Sequence, residues 1–105
     1  MPDPSATTYG HRLRLARKAM GWTQPELGRC LGVDPATAGT RISRYEAGLH
    51  EPDGPTAAAL AKALRLPQAW FHADTDAIAE AILLLSRLPK GKQAAAVAAM
   101  QASVQ

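Results

Sequence analysis

Within the stretch TAGTRISR lie Thr37, Thr40, Arg41, Ser43 and Arg44, all with hydrogen-bonding side chains and no carboxylate among them. Residues three and four apart share a helix face. Thr40, Ser43 and Arg44 therefore project together, with Thr37 and Arg41 beside them. Such a set suits the edges of stacked bases. Arginine can give two N–H groups to O6 and N7 of guanine, and a hydroxyl can bond to any base. It does not suit bond-making chemistry. Ser43 has no base near it in sequence, and His11, His50 and His72 show no repeated ligand spacing. Cys30 is the only cysteine, which argues against a zinc site and rules out an internal disulfide. There is neither a glycine-rich phosphate loop nor a GxSxG. No catalytic residue, cofactor or metal is expected.

The elements that must carry these residues are legible just upstream, in TQPELGRCLGVDPATAGTRISRY. Thr23 and Glu26 have capping-box spacing. Pro25 falls in the first turn, where its missing N–H costs little. Leu27 and Leu31 point inward, and Gly28 lies where a second helix should come close. Gly32 accepts the left-handed backbone of a helix exit. Val33 fills the turn. Asp34 then caps a new helix and Pro35 takes its first position. Two helices joined by a tight turn, with a polar, basic face on the second, form a helix-turn-helix suited to reading DNA. The second helix is expected to run unbroken from about Pro35 to Ala47, with Gly39 as its weak point. A small residue there would let it lie close to a groove.

Composition narrows the remainder. Hydrophobic residues make up 47% of the 105-residue chain but aromatics only 5%, an alanine-rich balance that favours helices over strands. No apolar run approaches the ~20 residues that span a membrane. The start, MPDPSATT, has neither the basic residues nor the apolar run of a signal peptide. A cytoplasmic protein with no membrane partner is expected, and Cys30 should pack as a small hydrophobe. The net charge of +3 is concentrated. Between Tyr9 and Gly48, Arg12, Arg14, Arg17, Lys18, Arg29, Arg41 and Arg44 outnumber Glu26, Asp34 and Glu46. On the segment that reads, such an excess supplies phosphate contacts.

Around that unit the chain divides into a loose arm (1–8), a helix-turn-helix domain (9–72) and a helical extension (73–105). In the first helix, Tyr9, Leu13, Ala16 and Met20 form one stripe and Gly21 stops it; Trp22 plugs the core beside Leu27. Gly48 ends the recognition helix. A stiff loop from Leu49 to Pro55 follows, then a helix capped by Asp53 or Thr56 that buries Ala57, Leu60, Ala61 and Leu64. Leu66-Pro67 opens a short fifth helix anchored by Trp70 and Phe71. Asp74-Thr75-Asp76 is a strong helix start, with acids at the positive dipole end. In DAIAEAILLLSRL, Ile78, Ile82 and Leu85 can face the domain, leaving Leu84 and Leu88 for a partner. Pro89 to Gly91 breaks the helix, and residues 92–104 resume it. This hairpin is expected to be the dimer seam.

TQPELGRCLGV followed by ISRYEAG resembles the helix-turn-helix of the phage-repressor and Cro-like (XRE-type) transcription regulators. The resemblance covers Tyr9 to about Phe71. It implies an all-α fold: a compact five-helix domain, here with a C-terminal helical hairpin, and its third helix in the major groove of double-stranded DNA. One departure stands out: Val33 to Ile42 is longer by roughly one helical turn, the extra residues lying within 34–41. Counted back from Ile42, Thr40 and Arg44 become the principal base readers, with Thr37, Arg41 and Ser43 secondary. Arg14, Arg17, Thr23, Gln24 and His50 fall where phosphates would be held; His50 replaces the lysine or arginine usual in that loop. The function implied is sequence-specific regulation of transcription by a homodimeric repressor. Ile78, Ile82, Leu84, Leu85 and Leu88 would make its interface. The competing reading is an antitoxin-like module whose hairpin binds a partner protein and whose DNA binding is autoregulatory.

Overall fold

The computed structural model describes residues 8–105. The arm expected over 1–8 thus lies outside the described residues, apart from Thr8. Six α-helices follow: α1 (Thr8–Ala19), α2 (Gln24–Gly28), α3 (Pro35–Glu46), α4 (Gly54–Leu64), α5 (Asp76–Arg87) and α6 (Lys90–Val104). Two 3-10 segments, Arg29–Leu31 and Gln68–His72, complete the described elements. The fold is all-α, as expected, with the fifth helix of the domain taking the 3-10 form.

Local chemistry sets the boundaries. Thr23 Oγ1 accepts from the amide of Glu26 at 3.2 Å while Glu26 Oε1 accepts from the amide of Thr23 at 3.1 Å, the reciprocal capping box. Asp34 accepts from Ala36 N, Asp53 from Thr56 N and Thr75 from Ile78 N, each opening a helix. Gly32, at φ 66°, turns the chain between α2 and α3, and α3 runs without a break to Glu46. The residues between Val33 and Ile42 are therefore helical from Pro35 onward instead of making a loop.

Leu13, Leu27, Ile42, Leu60 and Phe71 are fully buried, with Tyr9, Ala16, Tyr45 and Leu64 around them. Full burial of each such aliphatic or aromatic side chain contributes about 1.5–3 kcal/mol. Three packing expectations, for Met20, Cys30 and Ile78, are corrected. Met20 lies one residue past the end of α1 and is exposed. The helix holding Leu27 stops at Gly28 and tightens into a 3-10 turn, which keeps Leu31 packed against the core but puts Cys30 on the surface. Gly39 also lies against α2: a Cβ there would sit 2.9 Å from Pro25 Cγ. Ile78 is 47% exposed and does not face the domain; Ala79, at 3%, takes that place.

The last correction follows from how α5 leaves the domain. Arg12 of α1 is buried. Its Nε donates to the carbonyl of Ala73 at 3.0 Å, its guanidinium lies 5.5 Å from the centre of the Trp70 ring, and its NH2 reaches Asp76 at 3.5 Å. The start of α5 is thus tied to α1 and to the Gln68–His72 segment, fixing which side of α5 turns inward. No residue of α6 is buried. Gln93 Nε2 donates to the carbonyl oxygens of Leu85 and Leu88, so α6 is joined to the C-terminal end of α5.

Candidate nucleic-acid interface

Helix α3 turns Ala38, Ile42, Tyr45 and Glu46 inward. Its opposite face carries Ala36, Thr40, Ser43 and Arg44. These four, with Pro35 and Gly39 and with Gln24 and Pro25 of α2, line one open groove of about 470 Å³. The close approach that forms it depends on Gly28, where a Cβ would stand 2.6 Å from Ala38 Cβ and 2.8 Å from its carbonyl carbon. Only glycine leaves that room.

Of the residues expected to read bases, Thr40, Ser43 and Arg44 come together in this groove. Thr37 and Arg41 do not line it. The Thr37 hydroxyl donates to the carbonyl of Asp34 at 3.0 Å. Arg41 folds along its own helix to donate to the Tyr45 hydroxyl at 3.1 Å. Together with Arg44, His50, Glu51 and Asp53 it borders a separate depression. There the Asp53 carboxyl is held below its usual pKa, chiefly by hydrogen bonds from Thr56 and to a lesser degree by the charge of Arg41. Arg44 lines both depressions and is exposed. Ala36 was missed by the sequence reading. It lies one turn before Thr40, and that spacing could have found it; its methyl suits contact with the methyl of thymine.

The phosphate candidates separate sharply. Arg14 is exposed and has no hydrogen-bond or ion-pair partner among the described residues. Thr23 is exposed at the start of α2, and its oxygen accepts from Glu26 N. His50 is exposed beside Glu51. Arg17 is a correction. It is buried, with Nε 2.7 Å from Glu46 Oε2, NH2 3.1 Å from Glu46 Oε1, and NH1 donating to the carbonyl of Trp22 at 2.8 Å. A guanidinium so fully bonded and enclosed holds no phosphate. Its role is to fix Glu46, which also accepts from Gln24 Nε2 at 3.1 Å. Glu46, near the C-terminal end of α3, therefore connects α1, α2 and α3 and holds the Gln24 side chain at the groove edge.

Among the described residues no helix is long and apolar enough to cross a membrane, and no group of three or more His, Cys, Asp or Glu could hold a metal ion.

This geometry has counterparts. Residues 8–71 match the helix-turn-helix domain family. The crystal structure of the transcriptional regulator BswR is similar, with a TM-score of 0.76 and 33% sequence identity over 88% of this chain and 91% of that one. A share of that size reaches past residue 71 into the C-terminal helices. No curated protein sequence matches the chain.

Proposed function

The chain belongs to the helix-turn-helix domain family, and from that premise we propose that it regulates transcription by binding double-stranded DNA sequence-specifically, as a homodimer with α3 in the major groove. The observation that carries this reading is the single groove between α2 and α3 in which Gln24, Thr40, Ser43 and Arg44 converge. Arg44 gives guanine two donors, Thr40 and Ser43 bond to neighbouring base edges, and Ala36 meets a thymine methyl. Gln24 at the first turn of α2, with Thr23 and Arg14, holds phosphates on either side; such contacts orient a protein on the duplex without reading sequence. One helix reads too few base pairs for strong selectivity. Two copies related by a two-fold reach successive major grooves about 34 Å apart. Occupancy of a promoter by such a dimer excludes polymerase, which makes the protein a repressor. BswR, which its name describes as a transcriptional regulator, supports the assignment through its similarity over both the domain and the C-terminal helices.

Selection of bound duplexes from random DNA with the full chain tests this. The expected result is a palindromic consensus with half-sites one helical turn apart, and with Arg44→Ala a loss of preference at one base pair of each half-site. Recovery of DNA with no common sequence would overturn the proposal.

A further inference from the structure

Helix α5 touches the domain along one edge only. Ala79 is buried and Ile82 and Leu83 are half-buried. Beyond that edge an apolar groove of about 450 Å³ opens between α5 and α6, with Ala81, Leu84, Leu85 and Leu88 on one wall and Ala96 and Met100 on the other. Leu84 is 56% exposed and Met100 48%. Carbon surface gathered in this way, on two helices of which only Ala79 is buried, is an interaction surface.

Charge identifies what covers it. Ala77, Ala81, Leu84 and Leu88 recur at i, i+4, i+7 and i+11, the seam pattern of paired helices. Glu80 and Arg87, seven residues apart, lie on one flank of that seam, and neither has a hydrogen-bond or ion-pair partner among the described residues. The first half of α5 carries the acids Asp76 and Glu80; its last turn and the start of α6 carry Arg87, Lys90 and Lys92. A flank that changes sign along its length is complementary to itself only when the two copies run in opposite directions. A parallel copy would set Glu80 against Glu80.

Resting on the homodimer reading above, we propose that the dimer forms by antiparallel pairing of α5 with α5 of a second copy, with Glu80 of each chain against Arg87 of the other. The two-fold axis then passes beside Leu84, midway between the two charges, and each contact is made twice. Leu84 and Leu88 of each copy enter the α5–α6 groove of the other, so the four C-terminal helices close into one apolar bundle. Ile78 and α6 contribute at its periphery.

Charge reversal in the full-length protein, read by sedimentation equilibrium, tests the register. Glu80→Arg and Arg87→Glu should each weaken self-association about ten-fold, since two exposed attractive contacts per dimer become repulsive. The doubly reversed chain, Glu80→Arg with Arg87→Glu, should return to within about three-fold of the parent, and an equimolar mixture of the two single variants should form mixed dimers in preference to either homodimer. Helical circular dichroism of each variant confirms that the fold is retained. Single variants that dimerise like the parent, or a double variant no stronger than the singles, would overturn this pairing while leaving a dimer through another surface. A parent that sediments as a monomer at tens of micromolar would overturn both the pairing and the homodimer, whereas sequence-specific binding of a single half-site would still stand.

Discussion

Arg17 on α1 and Glu46 near the end of α3 meet through two hydrogen bonds, 2.7 and 3.1 Å long, with side chains only 10% and 6% exposed. Because Glu46 also holds Gln24, this pair ties α2 to α3. Breaking one side leaves an enclosed charge without its partner. Glu46→Ala should cost about 3–5 kcal/mol in urea denaturation, whereas a double replacement, Arg17→Met with Glu46→Leu, should cost far less. Equal losses in the single and double variants would show that the pair is not coupled.

Gly28→Ala places a methyl within 2.6 Å of the Ala38 Cβ and 2.8 Å of its backbone. The two helices must move apart. A loss of about 1–3 kcal/mol is expected, seen as a lower melting temperature, together with weaker DNA binding because Gln24 and Arg44 no longer share one groove.

Arg14→Ala removes an exposed cation that has no partner among the described residues, and nothing from the core. Affinity should fall for every sequence alike, and the slope of log K against log salt should become shallower by about 0.9 for each phosphate that the variant no longer neutralises. Site preference should stay unchanged in competition assays. A change in consensus would assign Arg14 to base reading instead.

Tyr9 is buried between Phe71 and His72, and its hydroxyl has no hydrogen-bond partner among the described residues. Burial, with smaller contributions from Tyr45 and Cys30, pushes its pKa up to about 12. The unfolded chain ionises near pH 10 while the folded one keeps the proton, so this residue makes stability fall as pH rises from about 10 to 12. In Tyr9→Phe that part of the fall should vanish, and stability at neutral pH should be unchanged or higher by about 1 kcal/mol. Denaturation midpoints at pH 7, 10 and 11 for both proteins check it.

Arg65 ends α4 at φ 57°, the only described non-glycine residue with positive φ. The left-handed conformation costs an L-residue roughly 1–2 kcal/mol, and glycine is the usual helix exit. Arg65→Gly should raise stability by about 0.5–1 kcal/mol once the greater freedom of unfolded glycine is offset. A lower urea midpoint would mean that the Arg65 side chain contributes contacts of its own.

The sequence by itself determined what depends on neighbours a few residues apart. Thr23 with Glu26, Asp34 with Pro35, and Gly32 at the turn fix helix starts and stops through contacts no longer than one turn, so the helix-turn-helix could be read directly. The helical period likewise put Thr40, Ser43 and Arg44 on one side of α3. Only the tertiary structure decided matters that hang on distant partners. Whether a basic residue on the inward side of α1 becomes a buried strut depends on whether a carboxylate 29 residues away reaches it; the helical period sets Arg17 beside Leu13 and Ala16, but it does not supply Glu46. Arg12, tied to Ala73, set the phase of α5, so Ala79 went inward and Ile78 outward although Ile78 is the larger hydrophobe. Hydrophobicity names the residues able to be buried; which of them are depends on the direction from which the neighbouring element arrives, and that direction is a property of the whole packed chain.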